Sequence, residues 1–149
     1  MKIFLGADHG GYELKTKIIE YLSQIGEYEI IDMGCKSEES CDYPEFGSGV
    51  AREVVAHEGS FGIICCGSGI GISMAANKIK GARAALCNSL ELAILGRQHN
   101  DANILALGGR TNFIDDPLEI VHIFLHTQPD MSDRHVRRRM QLNKLGFFD

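Results

Sequence analysis

The sequence predicts an α/β fold of three layers, α/β/α, in which helices cover both faces of a parallel sheet. Apolar, strand-like runs alternate with runs whose apolar residues recur every three or four positions, as they do in amphipathic helices. No two-residue hairpin turn joins the strand-like runs. Successive strands are therefore expected to be parallel, with a helix between them. We expect residues 1–149 to form a single domain, because 149 residues is the length of one.

The individual elements follow from local patterns. A first helix carries Leu14, Ile18 and Leu22 on one face and stops at Gly26, and Pro44 suits the first turn of a second helix. The run at 61–66 is continuously apolar, as a strand buried on both faces should be. Strands are expected at 2–6, 29–34, 61–66, 83–87 and 102–107, a short helix through Asn77, and further helices at 89–97, 116–126 and about 132–145.

Charge and cysteine content argue against several classes of protein. The net charge of −5 disfavours a broad nucleic-acid or membrane-surface role, and no apolar run is long enough to span a bilayer. The five cysteines have no repeated Cys-x-x-Cys spacing, so we expect neither a disulfide framework nor a cysteine-only zinc site. A cytoplasmic protein with reduced thiols is the expectation.

The segment CCGSGIGIS, residues 65–73, joins the third strand to a short helix. Gly67, Gly69 and Gly71 let the backbone approach a ligand closely, and successive amides at a helix start can bind an anion. A tight turn that uses glycine only for packing explains the loop equally well. The segment is not a P-loop, a dinucleotide fingerprint or a Cys-x5-Arg phosphatase loop, because Ile72 and Ser73 follow Gly71.

The two adjacent thiols are expected to differ. Neighbouring residues of a strand point to opposite faces, so Cys65 should lie in the core and Cys66 towards a ligand. Amides and a helix start beside Cys66 favour a thiolate. The alternative is that both cysteines are packing residues.

Other polar residues follow or precede strands. Asp8 and His9 follow the first strand and Arg110 follows the fifth, at the carboxyl ends where parallel sheets bind ligands. For Asp8 and His9, the alternative is a turn that is capped by the aspartate side chain. His99 and Asn100 come just ahead of the fifth strand, where a histidine could pass a proton or simply cap a helix. Surface or capping roles are expected for the remaining histidines, His57, His122, His126 and His135.

The last helix carries Arg134 and Arg138 one turn apart on the same face. Val136 and Met140 form an apolar stripe on another face, which we expect to be the core contact of the helix. The arginines would then point away from the core. Arg134 follows the expected cap Ser132, where a cation is unfavourable unless an anion is near, and guanidinium groups suit phosphate. A solvated face is the alternative.

Four segments together resemble the B-type ribose-5-phosphate isomerases: GADHGG (6–11), DYP (42–44), CGSGIGISMAANK (66–78) and RQHNDANILALGGR (97–110). That family also includes allose-6-phosphate isomerases and the subunits of galactose-6-phosphate isomerase. The resemblance implies a Rossmann-like five-stranded parallel sheet and a homodimer or tetramer whose sites lie between subunits. It also implies interconversion of an aldose phosphate and a ketose phosphate without metal or cofactor.

The same resemblance assigns roles. Cys66 would be the base that moves a proton between C2 and C1, and His99 would open the furanose ring. Ser68 and the amides of residues 67–71 would hold the enediolate. The other implied ligands are Asn100 at the enediolate, Asp8 and Tyr43 at the sugar, and His9, Arg110, Arg134 and Arg138 at the phosphate; the amides in question include those of Gly67, Gly69, Ile70 and Gly71.

Some features stay open at this level. Some relatives carry a glutamate base just past the glycine loop, but Ser73 and Met74 stand there in this chain, which supports the cysteine as base. Ribose 5-phosphate is the expected substrate, and allose 6-phosphate or another six-carbon aldose phosphate is the alternative. A non-catalytic phospho-sugar-binding module would use the same loop but leave Cys66 and His99 without a role. The helix at about 132–145 is expected to contact the partner subunit, and Arg137 and Arg139 have no assigned role.

Overall fold

A five-stranded parallel sheet forms the middle layer of the protein, as the alternating pattern predicts. The computed structural model describes residues 1–147. The strands are β1 (Lys2–Ala7), β2 (Glu29–Asp32), β3 (Phe61–Cys66), β4 (Ala84–Leu86) and β5 (Ile104–Gly108). They lie in the order β2-β1-β3-β5-β4, and every neighbouring pair is parallel. The strand order reverses between β1 and β3, which we call the switch point.

Helices cover both faces of the sheet. Within residues 1–147 they are α1 (Tyr12–Ile25), α2 (Tyr43–Ala56), α3 (Ile70–Asn77), α4 (Leu90–Asn100), α5 (Pro117–His126) and α6 (Asp133–Asn143). One core cluster joins the sheet to α1, α4 and α5, and a second joins it to α2 and α3. In the described part of the chain, no helix is both long enough and apolar enough to cross a membrane.

Helix ends follow the local chemistry of the sequence. α1 ends at Gly26, whose φ of 75° is in the left-handed region that glycine tolerates. The Ser89 hydroxyl caps α4 by accepting from the Leu92 N–H at 3.2 Å. α4 runs three residues farther than predicted, to Asn100, so His99 lies in its last turn. β2 is shorter than predicted, because Gly34 leaves the extended region with a φ of 101°.

One buried ion pair ties α1 to the end of β2. The Lys15 side chain is 1% exposed, and its Nζ donates to Asp32 Oδ1 at 2.6 Å and to the Cys35 carbonyl oxygen at 2.7 Å. Asp32 itself is 43% exposed. The Lys15 ammonium is therefore withdrawn from water, whereas the Asp32 carboxylate stays in contact with water.

The outer edge of β4 is covered by a side chain. The Asn77 amide donates to the Ala84 carbonyl oxygen at 3.0 Å, and its oxygen accepts from the Ala84 N–H at 2.8 Å. Asn77 therefore occupies the position at which another strand would pair with Ala84.

The predicted orientation of α6 is wrong. Its buried residues are His135 and Arg139, whereas Met140 is 59% exposed and Val136 is only half-buried. Arg139 donates to the carbonyl oxygens of Gln98 and His99 at 3.4 and 3.5 Å. These carbonyls lie in the last turn of α4, where a cation is favourable. Polar contacts, rather than an apolar stripe, therefore dock this helix.

Candidate active site

Two loops meet at the carboxyl edge of the sheet, beside the switch point. One follows β1 and the other follows β3. Asp8 is buried, and its Oδ1 accepts from the N–H groups of Gly10 at 2.9 Å and Gly11 at 3.1 Å. The turn capped by aspartate, which the sequence analysis gave as the alternative interpretation of this segment, is therefore present. A Cβ on Gly11 would lie 2.3 Å from the Cys65 carbonyl oxygen, so glycine is needed for this close approach.

His9 is held by the backbone of Cys41. Its Nδ1 lies 3.2 Å from the Cys41 carbonyl oxygen and 3.2 Å from the Cys41 nitrogen. One of these groups accepts a hydrogen bond and the other donates one. The ring therefore keeps a main-chain partner whether or not Nδ1 carries a proton.

The adjacent thiols lie on opposite faces of the sheet, as predicted. Cys65 is fully buried in the cluster under α1 and α5, and burial raises its pKa. Cys66 belongs to the other cluster, under α2 and α3, and is 3% exposed. Its Sγ accepts a hydrogen bond from the Gly69 N–H at 3.1 Å. An amide donor at the start of a helix stabilises negative charge on this sulfur.

The glycine loop turns sharply into α3. Gly69 has a φ of 78°, and a Cβ there would lie 2.5 Å from Leu86 and 2.8 Å from the backbone of Leu107. The Ser68 Oγ accepts from the Ile70 N–H at 3.1 Å. Two of the amides predicted to hold an anion, those of Gly69 and Ile70, are thus engaged within the chain.

Two more predicted site residues lie against this loop. The Tyr43 ring, at the start of α2, occupies the space beside Gly71, where a Cβ would come within 2.6 Å of it. The Arg110 N–H donates to the Gly67 carbonyl oxygen at 2.9 Å, and Arg110 is exposed. The structure thus brings together what we call the switch-point cluster: Asp8, His9, Tyr43, residues 66–71 and Arg110.

The other predicted residues lie elsewhere in the chain. Four of them form what we call the helix-end group. His99 and Asn100 lie on the last turn of α4, and Arg134 and Arg138 lie on α6. The segment after α4 reaches the amino ends of the strands, where the Asn103 carbonyl accepts from the Gly62 N–H at 2.9 Å. At about 3.3 Å per residue, Cys66 lies roughly 13 Å farther along β3. The expectation that Cys66 and His99 share one opening is therefore not met within a single chain.

His135, which the sequence analysis did not place at the site, packs against the helix-end group. The His99 ring stacks on the His135 ring, with centroids 4.5 Å apart and planes 10° from parallel. His135 is buried, which corrects the surface role expected for it. Burial, followed by the charges of His99, Arg134 and Arg138, lowers the pKa of His135, although Asp130 acts in the opposite direction. In the sequence, the one-turn spacing of His135 and Arg139 was the signal that could have identified the buried face of α6.

Arg134 has acidic neighbours within the chain. Asp133 lies in the first turn of α6, and Asp130 accepts from the Ser132 N–H at 2.8 Å. That hydrogen bond, more than the nearby charges of His135 and Arg134, lowers the pKa of Asp130. An external anion is therefore not required to explain a cation in this turn. Arg134 and Arg138 are both exposed.

Comparisons with known proteins agree over nearly the whole chain. A family model described as Ribose/Galactose Isomerase matches residues 3–142. "Ribose-5-phosphate isomerase B" of Mycobacterium tuberculosis H37Rv is 46% identical over 139 residues, which cover 93% of this chain and 85% of that protein. The protein of the same name from Escherichia coli K12 is 44% identical over 137 residues, covering 92% and 91%.

Solved structures give the same result. Ribose-5-phosphate isomerase B of Clostridium thermocellum superposes with a TM-score of 0.91 at 47% identity, covering 97% of this chain and 96% of that one. The type B enzyme of Trypanosoma brucei superposes with a TM-score of 0.89 at 43% identity, covering 96% and 97%.

Proposed function

The chain belongs to the ribose/galactose isomerase family, and we propose that it interconverts ribose 5-phosphate and ribulose 5-phosphate. The observation that carries the proposal is the Cys66 sulfur, which accepts the Gly69 N–H at the start of α3 beside the switch point. Relatives named for ribose 5-phosphate at 44–46% identity support this substrate over allose 6-phosphate.

In the proposed reaction, Cys66 acts as a thiolate base that moves a proton between C2 and C1 of the open-chain sugar. Removing this proton places negative charge on the neighbouring oxygen. Ser68 and the loop amides at 67, 68 and 71 are proposed to stabilise that enediolate, since one well-placed donor is worth about 3 kcal/mol in a transition state. The Gly69 amide serves the sulfur instead.

His9 and Arg110 are proposed to bind the phosphate, and Tyr43 and Asp8 to line the sugar pocket. One Asp8 oxygen already holds the turn at Gly10 and Gly11, so its contribution includes shaping the loop. Fixing the phosphate supplies binding energy that can orient the reacting carbons.

The helix-end group is proposed to complete the site of a second copy of the chain. His99 would open the sugar ring there, Asn100 would assist at the enediolate, and Arg134 and Arg138 would join the phosphate ligands. These residues lie towards the amino ends of the strands, whereas Cys66 lies at the carboxyl end of β3. This separation supports a homodimer, or a tetramer built from such dimers, in which α6 contacts the partner. The five free thiols suit a reducing compartment, and we expect a cytoplasmic protein.

Substitution of Cys66 tests the proposal. Cys66→Ser should lower kcat for ribose 5-phosphate by about 100-fold or more, because a hydroxyl is a much weaker base than a thiolate. KM should change little, since the phosphate ligands remain. Assays with allose 6-phosphate run in parallel decide the substrate.

Near-normal turnover by Cys66→Ser would exclude the thiolate as base. Binding of ribose 5-phosphate by the unaltered protein, without exchange of the C2 hydrogen with solvent, would instead indicate a phospho-sugar-binding module.

A further inference from the structure

The buried ammonium of Lys15 has no role in the reaction proposed above. Its side chain is 1% exposed, and its Nζ donates to Asp32 Oδ1 at 2.6 Å and to the Cys35 carbonyl oxygen at 2.7 Å. Burying a charged group is costly, and apolar residues of similar volume often give equal or greater stability at such positions. Stability alone is therefore a weak explanation for an ammonium at this position.

The side chain of Lys15 holds the segment that pairs with the end of β1. The Asp32 Oδ1 that accepts from Lys15 also accepts from the Gly34 N–H at 3.0 Å. The Gly34 carbonyl oxygen accepts from the Ala7 N–H at 2.7 Å, and the Cys35 N–H donates to the Ala7 carbonyl oxygen at 2.7 Å. Both main-chain groups of Ala7 are thus held by residues that are themselves bonded to the ammonium or to Asp32.

The backbone of Lys15 holds the far end of the turn that follows Ala7. This turn, residues 8–11, carries His9. The Lys15 N–H donates to the Gly11 carbonyl oxygen at 2.9 Å. Lys15 therefore fixes the entry to the turn through its side chain and the exit from the turn through its backbone.

A second set of contacts leads from Lys15 to the His9 ring. Cys35, whose carbonyl oxygen accepts from the ammonium, precedes the exposed loop at 36–40. Cys41 follows this loop, and its carbonyl oxygen and its nitrogen each lie 3.2 Å from His9 Nδ1. The ammonium therefore anchors one end of the loop whose other end orients the ring.

We propose that Lys15 is a positioning residue for the phosphate end of the site. Its ammonium orients the turn at 8–11 so that the His9 ring can bind the phosphate of the substrate. Lys15 does not itself contact the substrate, because its side chain is buried. The effect on KM rests on the proposed function, whereas the effect on phosphate affinity does not require turnover.

Lys15→Met tests this role, because it removes the donors of the ammonium and keeps most of the side-chain length. KM for ribose 5-phosphate should rise about tenfold, since a displacement of about 1 Å in a positioned group can cost about 100-fold. The affinity for inorganic phosphate, measured by calorimetry, should fall with it. kcat should change by about twofold or less, because Cys66 lies in the cluster on the other face of the sheet. Unchanged KM and phosphate affinity would overturn the proposal.

Two variants of the same helix separate positioning from a general loss of stability. Lys17→Met removes an exposed lysine that is paired with Glu13. Gly26→Ala strains the other end of α1, where nothing lies within 4 Å of the added Cβ. Both variants should keep the KM of the unaltered protein. A rise in KM for Gly26→Ala as large as that for Lys15→Met would show that helix stability, rather than positioning, causes the effect.

Asp32→Asn provides a milder form of the same test, because the altered side chain is 43% exposed. It removes the charge that holds the ammonium but keeps an acceptor oxygen. KM should therefore rise less than in Lys15→Met, about threefold, because charge-assisted hydrogen bonds are roughly twice as strong as neutral ones. If Lys15→Met does not fold, this variant decides the question, and an unchanged KM would overturn the proposal.

A double-mutant cycle tests whether Lys15 acts through His9. His9→Ala should weaken binding of inorganic phosphate, and Lys15→Met added to His9→Ala should weaken it little further, because coupled residues are not additive. Additive losses, or no binding of phosphate by the unaltered protein, would overturn the link to His9. An unaltered protein without isomerase activity, whose phosphate affinity still falls in Lys15→Met, would count against the proposed function alone.

Discussion

At the scale of single residues, the ion pair of Lys15 and Asp32 is asymmetric. The ammonium is almost fully buried, whereas the carboxylate is 43% exposed and can be hydrated on its own. Removing one partner of a buried pair is costly chiefly because the other charge is left without compensation. The cost should therefore depend on which partner is removed.

We predict that Asp32→Ala destabilises the protein by about 3 kcal/mol, because it leaves a buried ammonium with a neutral carbonyl as its remaining hydrogen-bond partner. Lys15→Met should cost less, because the Asp32 carboxylate can turn to water. Urea unfolding of both variants measures the difference. Lys17→Met removes an exposed lysine paired with Glu13 on the same helix and should change stability by less than about 0.5 kcal/mol. A larger decrease in the free energy of unfolding for Lys15→Met than for Asp32→Ala would contradict the asymmetry.

At the scale of elements, α1 is bounded by glycines that serve different purposes. Gly11 allows the helix start to touch the backbone of β3, since a Cβ there would lie 2.3 Å from Cys65. Gly26 supplies only a left-handed conformation, and nothing lies within 4 Å of a Cβ built on it. One glycine is required by space and the other by backbone angle.

Gly26→Ala is predicted to cost about 1 kcal/mol, the price of a left-handed alanine. Gly11→Ala should cost more, roughly 3 kcal/mol, because a rigid backbone contact must open and shift α1 on the sheet. Thermal and urea unfolding compare the two variants directly. Because the Gly11 N–H also donates a hydrogen bond to Asp8, Gly11→Ala should lose isomerase activity as well, whereas Gly26→Ala should not. Equal free energies of unfolding for Gly11→Ala and Gly26→Ala would show that the backbone around Gly11 accommodates the added Cβ without a loss of stability.

α6 shows where sequence periodicity stops being informative. The apolar stripe of Val136 and Met140 predicted the wrong face, because the helix is docked by the Arg139 guanidinium on the α4 carbonyls and by the His135 ring on His99. Those partners lie some 36–41 residues earlier in the chain. The apolar periodicity of the helix contains no signal for such contacts. α1, which packs through Leu14, Ile18 and Leu22, was predicted correctly for the opposite reason.

At the scale of the whole molecule, alternation of strands and helices was enough to predict the parallel sheet. It also predicted that Asp8, Cys66 and Arg110 would meet at the carboxyl edge, since parallel strands end on the same side. The strand order and the distance from Cys66 to His99 depend on tertiary contacts and emerged only from the structure. The assignment of His99 to the site of a second copy remains a prediction.

Complementation between two inactive variants tests that assignment. Cys66→Ala and His99→Asn chains, unfolded together and refolded as a mixture, should recover about one quarter of normal activity, because half of random dimers are mixed and half of their sites are intact. Each variant refolded alone should stay inactive, and refolded unaltered protein sets the recovery scale. A mixture no more active than its components would place both residues in the same chain's site.

The amide of Asn77 has a consequence for how copies can associate. It already engages both outward main-chain groups of Ala84, so a neighbouring molecule could extend the sheet across this margin only by displacing it. On this side of the sheet, contact between molecules would accordingly be governed by the shapes and charges of helix surfaces. These can vary in sequence without disturbing the strand framework beneath them.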